Sequence, residues 1–231
     1  MRLHNFFISE KIGDQSKIEV TDFDLINQWR HVLRLNTGSL VVLLDNSGFE
    51  YTAQFMSLTY LKAEFIIVEK RQNKFTPKKE IFLFQALIKP DKFEWILEKG
   101  TELGVSHFRP ILTSRTIVKK LNLKRAEKIV RESAEQSGRG KLPALYEPMK
   151  FEEIFSTYSF PYIAFDPSGK PWVQKDFVTD GALGILIGPE GGWSEQELEI
   201  IREKKVPIIS LGSQILRAET AAIAVAALLL L

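Results

Sequence analysis

Two glycine-punctuated turns in the C-terminal half constrain the fold of this chain more than any other feature. They are Ile185–Gly192 (ILIGPEGG) and, about twenty residues further on, Leu211–Thr220 (LGSQILRAET). Each follows a short apolar run typical of a buried strand and leads into a helical pattern. Glycines let backbone groups approach a ligand closely, and ligands of open α/β sheets bind at the carboxyl ends of the strands. The turns therefore predict one crevice for a polar small molecule, with Glu190 as the carboxylate of the first loop.

Taken alone, the first turn is also compatible with a plain strand-to-helix connection. It lacks the glycine spacing of the dinucleotide-binding and P-loop motifs, so the usual phosphate cradles are not supported. The helix after it is well specified. Ser194 and Glu197 have the spacing of a capping box, and Trp193 with Leu198 has that of a hydrophobic staple. These signals predict a fixed exit from the loop, as a preorganised site requires.

The sequence pattern changes near residue 72, and we predict two domains, 1–72 and 73–231. The first part is β-rich, with a hairpin turn at Asn46–Gly48 and a short helix at Asp24–Leu33. Its predicted strands are Phe6–Ile8, Ser39–Asp45, Glu50–Ser57 and Leu61–Glu69. The polar segment Arg71–Glu80, which contains Pro77, separates the two patterns.

Beyond this segment, apolar runs alternate with helical patterns, which predicts an α/β domain with a mostly parallel sheet. The predicted strands are Ile81–Ile88, Phe108–Leu112, Pro161–Asp166, Ala182–Gly188 and Val206–Leu211. The predicted helices are Asp91–Leu103, Leu123–Ser137 and one from near Arg217 to the end.

Composition narrows the class of protein. The chain has 231 residues and no cysteine, which excludes disulfides and thiol nucleophiles and fits a reducing compartment. Its formal net charge is only +2, so a nucleic-acid surface must be a local patch. The N-terminus lacks a signal-peptide core, and the apolar run Ala221–Leu231 is too short to span a bilayer. We expect that run to lie in the core or at a subunit interface.

Candidate chemistry is concentrated in cations rather than in histidines. The three histidines are scattered, which predicts no metal site, and no Ser-His-Asp grouping is visible. Eight cations fall within residues 119–141, a candidate polyanion footprint; the alternative is a solvated helix face with local glutamate partners. Arg139 stands apart because it lies between two glycines, where its guanidinium is expected to reach a phosphate or an oxyanion. Glu98 and Glu102 are spaced for acid–base work, although such pairs are commoner on solvated helices.

Five stretches in register carry a resemblance to a known family. The two turns, as LIGPEGG and LGxxILRAETA, resemble the knotted SPOUT class of RNA methyltransferases. Glu98–Gly104 (EKGTELG), Ser133–Arg139 (SAEQSGR) and His31–Arg34 (HVLR) narrow this to the RsmE-type 16S ribosomal RNA uridine N3-methyltransferases. The likeness covers nearly the whole chain.

The resemblance implies a small N-terminal PUA-like β-barrel that helps to hold ribosomal RNA and a C-terminal α/β domain with a deep trefoil knot. It implies a cytoplasmic homodimer that uses S-adenosylmethionine, requires no metal or membrane, and acts on 16S ribosomal RNA of the small subunit. The cofactor-binding residues it implies are Leu186, Gly188, Pro189, Glu190, Gly191, Gly192, Leu211, Gly212, Ile215, Leu216, Arg217 and Thr220.

Arg139 and Glu190 are the catalytic candidates if the chain has the activity that this resemblance implies. Arg139 is expected to stabilise the uracil anion or to bind its flanking phosphate. Three roles stay open for Glu190, which are proton acceptor, substrate-orienting group and ligand of a cofactor hydroxyl. The candidate RNA-binding residues are Arg30, His31, Arg34, Lys124, Arg125 and Arg131. His31 is alternatively a cap of its short helix.

Three other functions are also compatible with the sequence. A knotted methyltransferase acting on another RNA or base atom would share the same cofactor turns. A non-catalytic RNA-binding protein would not need both turns. An enzyme of small molecules or nucleotides would leave the basic N-terminal part without a role. Cofactor binding and the dependence of turnover on RNA separate these possibilities.

Overall fold

The computed structural model describes residues 3–75, 77, 79–173 and 181–231. The chain divides into two compact units, Met1–Thr76 with Ala134–Leu142, and Pro77–Ser133 with Pro143–Leu231. The predicted domains 1–72 and 73–231 differ from these units chiefly in one segment, Ala134–Leu142, which contains Arg139 and is grouped with the N-terminal unit. The domain division therefore stays a prediction. Within the predicted linker, Thr76 and Lys78 lie outside the described residues.

The N-terminal unit is built on a mainly antiparallel sheet. Its strands are β1 (Asn5–Phe7), β2 (Lys17–Val20), β3 (Leu40–Leu44), β4 (Phe49–Leu58) and β5 (Ala63–Gln72). Among the described residues these five strands are ordered β1-β3-β4-β5-β2, with β1 parallel to β3. Helix α1 (Phe23–Asn27) begins after Asp22, whose side chain accepts a hydrogen bond from the Leu25 N–H, and it continues as a π-helical turn, Gln28–Val32.

Trp29 forms the centre of the N-terminal core. It is fully buried, and its ring packs edge-on against the rings of Phe6, Phe55 and Phe65 at centroid distances of 5.4–5.5 Å. Alternate residues of a strand point to one face of the sheet, and the buried residues Tyr51, Ala53 and Phe55 of β4 follow this period-2 pattern. The predicted helix Asp24–Leu33 is correct in position but changes from α to π geometry midway.

One strand start in this unit was predicted wrongly, and one strand was not predicted. The strand predicted from Leu61 begins at Ala63, and Leu61 lies in the preceding turn with most of its side chain exposed. Hydrogen bonds within the turn, where Thr59 Oγ1 accepts from the N–H groups of Leu61 and Lys62, close it before the strand begins. Strand β2 was not predicted, because four alternating residues are a weak signal.

Asp45, at the end of β3, ties two loops of the N-terminal unit together. Its buried carboxylate accepts hydrogen bonds from the backbone N–H groups of Ile12 and Ser47, both at 3.1 Å, and from the Ser47 hydroxyl. Burial by itself would raise the pKa of Asp45. The hydrogen bonds from Ser47 and Ile12, with the nearby Lys11 cation, outweigh burial and hold the pKa below its ordinary value.

We expect Asp45→Ala to destabilise this unit by about 1–3 kcal/mol at neutral pH, because buried donors lose their acceptor. A carboxyl whose pKa is lowered by folding stabilises the fold above its ordinary pKa, and that contribution is lost as the pH falls through the lowered pKa. Denaturant unfolding at pH 7 and at acidic pH should therefore show the gap between wild type and variant shrinking with acid. Asp14→Ala, at an exposed ion pair with Lys70, is the matched control with little effect.

The C-terminal unit has a parallel sheet. Its strands are β6 (Glu80–Ala86), β7 (His107–Leu112), β8 (Ala144–Leu145), β9 (Met149–Lys150), β10 (Tyr162–Pro171), β11 (Ala182–Ile187) and β12 (Ile208–Ser210). The helices are α2 (Pro90–Leu103), α4 (Ile154–Thr157), α5 (Glu195–Glu203), α6 (Ala218–Leu230) and α3 (Leu123–Ser137), whose residues from Ala134 onward are grouped with the N-terminal unit. For the described residues the strand order is β12-β10-β11-β6-β7-β8, with β9 also beside β7.

Hydrophobic clusters line both faces of this sheet. On β6, Ile81 and Leu83 belong to the cluster that includes residues of α2 and α6, whereas Phe82 and Phe84 belong to the cluster that includes residues of α5. Because both faces of this strand are buried, its sequence is almost continuously apolar. One face of the C-terminal apolar run, with Ala222, Val225, Ala226 and Leu229, is buried in the core, which is one of the two places expected for the run. No helix of the described residues combines the length and apolarity needed to cross a membrane.

Candidate functional site

A cavity of about 270 Å³ lies in the C-terminal unit where β10, β11 and β12 end. These strands are neighbours in the sheet, so their carboxyl ends meet at one edge. The structure thus brings the two glycine-punctuated turns to one crevice. The lining residues are Phe165, Asp166, Pro167, Ile187, Gly188, Pro189, Glu190, Gly192, Trp193, Ile209, Ser210, Leu211, Gln214, Ile215, Leu216, Arg217, Ala218 and Ala221.

An irregularity in β10 supplies one wall of the cavity. The register of β10 against β12 shifts between Phe165 and Lys170, both of which lie opposite Ile209. Within this bulge, Asp166 accepts hydrogen bonds from the backbone N–H and the hydroxyl of Ser168, at 2.9 and 2.6 Å. The sequence prediction ended this strand at Asp166 and missed the bulge as part of the site. The turn residues that follow, Pro-Ser-Gly, are the signal that could have marked it.

Gly188 closes another wall because its backbone packs on Trp193. A Cβ at Gly188 would lie 3.3–3.4 Å from the indole ring. The ring is held in place, since it is buried and its Nε1 donates a hydrogen bond to the Phe165 carbonyl at 3.0 Å. Gln85 Nε2 also lies 3.5 Å from the Gly188 carbonyl. Sequence reasoning missed Gln85, although a lone amide in an otherwise apolar strand is a recognisable signal.

Arg115 contacts the loop that carries Glu190. Its Nη1 donates a hydrogen bond to the Gly191 carbonyl at 2.7 Å. Glu190 is exposed and lines the cavity. No spacing in the sequence pointed to Arg115, because its contact joins residues 76 positions apart.

Glu197 joins the loop after β7 to the loop after β11. Its buried carboxylate accepts hydrogen bonds from the backbone N–H groups of Ser114 and Ser194, both at 2.8 Å. The Ser194 hydroxyl accepts in turn from the Glu197 N–H, so the predicted capping box is confirmed. The sequence identified the box but not its second function, which is to hold the Ser114 loop.

Four of the predicted cofactor-binding residues are not among the residues that line the cavity. Leu186 is buried in the core on β11, because side chains alternate along a strand and its neighbour Ile187 faces the cavity. Thr220 is exposed on α6, where Ala218 and Ala221 line the cavity instead. Two glycines, Gly191 and Gly212, lie in the turns themselves, and Gly212 takes a left-handed conformation at φ +136°. The other eight predicted residues line the cavity.

Arg139 is buried in the N-terminal unit just after α3, and the cavity lies in the other unit. Burial lowers its pKa to about 10, so the guanidinium stays protonated at neutral pH. The flanking glycines have packing functions. Gly138, at φ +83°, ends α3, and a Cβ at Gly140 would lie 2.5 Å from the Cβ of Asn73. The two glycines beside Arg139 are therefore explained by the helix end and by close packing.

The candidate RNA-binding side chains differ in their surroundings. His31, Arg34 and Lys124 are exposed, and Arg131 is half-buried. Arg125 is paired with Glu94, with Nη2 at 2.7 Å from Oε2. The Arg30 guanidinium stacks on a tyrosine ring.

The acidic pair Glu98 and Glu102 carries no sign of acid–base chemistry. Lys99 Nζ lies 2.8 Å from a carboxylate oxygen of each residue, so the pair is bridged by a cation on the surface of α2. Among the described residues no group of three or more histidine or acidic side chains is arranged to hold a metal ion.

Comparisons with known proteins agree with this geometry. Residues 76–230 match the model of a family described as an RNA methyltransferase domain. The chain is 31% identical to ribosomal RNA small subunit methyltransferase E of Bacillus subtilis over 95% of this chain and 93% of that protein. It is 33% identical to the protein of the same name from Mesomycoplasma hyopneumoniae over 96% of both. A crystal structure of such an enzyme from Neisseria gonorrhoeae bound to S-adenosylmethionine superposes with a TM-score of 0.89, at 27% identity, covering 98% of this chain and 96% of that one.

Proposed function

Because the chain belongs to the ribosomal RNA small subunit methyltransferase E family, we propose that it transfers a methyl group from S-adenosylmethionine to N3 of a uridine in 16S ribosomal RNA. The observation that carries the proposal is the cavity at the ends of β10, β11 and β12, where both glycine-punctuated turns meet. Such crevices bind the ligands of open α/β sheets.

The cavity suits a cofactor that combines a flat base, a sugar and a charged tail. Apolar side chains such as Ile187, Leu216 and Ala218 form much of its lining, while Asp166 and Glu190 add carboxylates. Backbone groups line the cavity at Gly188, where a Cβ would lie 3.3–3.4 Å from the Trp193 ring. Apolar walls with a few polar groups are typical of small-molecule sites.

When bound, S-adenosylmethionine would supply a methyl group whose bond to the positively charged sulfur breaks as the new bond forms, with S-adenosylhomocysteine as the leaving group. The residues of this chain then have to prepare the uracil, whose N3 must lose a proton before its electron pair can form the new N–C bond. Glu190 is proposed to accept that proton, because it is the exposed carboxylate of the loop at the cavity. Arg139 is proposed to stabilise the negative charge that spreads to the uracil oxygens.

The wider architecture belongs to the same proposal. The five-stranded sheet is proposed to act as a PUA-like barrel that holds RNA, with Arg30, His31 and Arg34 as RNA-contacting residues. The C-terminal unit is proposed to contain the trefoil knot of the SPOUT class. The active form is proposed to be a homodimer inside the cell, and the basic residues Lys124, Arg125 and Arg131 are proposed to extend the RNA contact.

The test is methyl transfer to small ribosomal subunits that lack their own N3-methyluridine. Labelled S-adenosylmethionine is incubated with the protein and the subunits, and the RNA is digested to nucleosides. Label in N3-methyluridine is the expected result. Label in another nucleoside would favour the alternative of a different base atom. Cofactor binding without any transfer would reject this substrate.

Glu190→Gln should lower the turnover number at least about a hundred-fold, since general acid–base catalysis contributes on that order. The amide keeps the size of the side chain but cannot accept the proton, so the affinity for S-adenosylmethionine should change little. Turnover and calorimetric affinity are measured together. If the affinity falls while turnover at saturation is retained, Glu190 binds the cofactor instead, and the role of proton acceptor is wrong.

A further inference from the structure

The N-terminal unit presents an aromatic ring that neither the core nor the proposed chemistry uses. Tyr60 lies between β4 and β5, and 69% of its surface is exposed. The guanidinium carbon of Arg30 lies 3.3 Å from the centre of its ring. The Arg30 guanidinium therefore covers one face of the ring, and most of the Tyr60 surface is open to solvent.

The turn that holds Tyr60 is well fixed. The Thr59 N–H and hydroxyl both donate to the Lys62 carbonyl at 2.9 Å, and the hydroxyl oxygen accepts from the Lys62 N–H at 3.0 Å. Lys62 Nζ also pairs with Glu19 and Glu64 at 2.8 and 2.7 Å. These pairs compensate the acidic groups beside the turn, so a polyanion meets less repulsion there.

The position of Arg30 is fixed by its buried neighbour in the core. Its neighbour Trp29 is fully buried, which anchors the π-helical turn. The Nη1 atom of Arg30 is buried and has no hydrogen-bond partner within the described part of the chain. The stack on Tyr60 is thus the contact that orients the guanidinium, and it leaves Arg30 poorly placed for the phosphate contact that the sequence suggested.

We propose that the Tyr60 ring, backed by the Arg30 guanidinium, is a platform on which an unpaired base of the RNA substrate stacks. Sequence-specific RNA binding commonly uses bases that are splayed out and stacked on aromatic rings and arginine planes. The exposed Arg34 cation, with the exposed polar side chain of His31 on the same short segment, favours an anionic partner over an apolar one. This inference rests on the proposed function, because it assigns the ring to the RNA substrate.

The experiment compares Tyr60→Ala, Tyr60→Phe and Phe23→Ala. Phe23 is the matched control, since it is an aromatic residue of the same unit with 72% of its surface exposed. Binding of the full chain to a single-stranded RNA carrying 2-aminopurine, and to the same RNA in a duplex, is followed by fluorescence at several salt concentrations. The KM for small ribosomal subunits is measured in parallel with the methyl-transfer assay.

Tyr60→Ala is expected to weaken single-strand binding about five- to a hundred-fold, the range of one stacked base, with the salt dependence unchanged. Tyr60→Phe and Phe23→Ala should stay near wild type, and duplex binding should be insensitive to all three changes. Wild-type affinity in Tyr60→Ala overturns the platform, as does an equal loss in Tyr60→Phe, which would indicate a hydroxyl contact. If wild type transfers no methyl group but Tyr60→Ala still loses single-strand binding, the proposed function fails and the stacking platform stands.

Discussion

Replacing Gly188 with valine should abolish measurable binding of S-adenosylmethionine. A Cβ added at this position would lie 3.3 Å from the Trp193 ring, and valine carries two further methyl groups on that Cβ. The ring cannot yield easily, because it is buried and its Nε1 is hydrogen-bonded to the Phe165 carbonyl. The branched side chain must then occupy part of a cavity of about 270 Å³. Isothermal calorimetry with the cofactor measures the loss.

Gly191→Ala is the matched control for this experiment. It lies three residues along the same loop, and its new Cβ would meet Arg115 atoms at 3.5–3.6 Å, which is ordinary contact. Cofactor binding close to wild type is expected there. Gly188→Ala should give an intermediate affinity, and it covers the case in which the valine variant fails to fold. Wild-type affinity in a folded Gly188→Val protein would place the cofactor elsewhere.

Arg139→Ala should reduce the turnover number about a hundred-fold or more, by analogy with the removal of one oxyanion donor. Its guanidinium keeps its charge at neutral pH despite a pKa lowered to about 10 by burial. The affinity for S-adenosylmethionine should be retained, because Arg139 is not among the residues that line the cavity. Single-turnover methyl transfer with saturating cofactor and subunits reports the chemical step.

Arg139→Lys separates the charge from the shape of the side chain. Lysine preserves the cation but not the planar fork of donors, so an intermediate rate is expected. Thermal unfolding of each variant shows whether the change at this buried position has damaged the N-terminal unit instead. A turnover number equal to wild type in folded Arg139→Ala would remove Arg139 from the catalytic residues.

Predictions from the sequence were accurate where the interacting residues lie close together in the chain. The capping box of Ser194 and Glu197 was confirmed because both partners lie within one turn of a helix. The alternation of strands and helices after residue 80 was confirmed because apolar periodicity is set by the local backbone geometry. The same logic failed at Leu61, where the Thr59 hydroxyl oxygen accepts a hydrogen bond from the Leu61 N–H and closes a turn, whereas hydrophobicity alone predicts a strand.

The candidate site was predictable in part. Turns that follow neighbouring parallel strands must meet at one edge of the sheet, so the sequence anticipated the crevice. It could not anticipate that Leu186 and Thr220 lie away from the cavity, because this depends on which face of a strand or helix is turned toward it. Nor could it find the contact of Arg115 with Gly191 or that of Glu197 with Ser114, which connect distant parts of the chain.

By itself, therefore, the amino-acid sequence determined the class of fold, the helix signals and the two turns, since these follow from residues close together in the chain. The tertiary structure alone decided that Arg139 is buried with the N-terminal sheet and that Tyr60 is stacked under a cation at the surface. The physical reason is that burial and contact depend on strand order and on side chains brought together from distant positions. No local pattern encodes that order.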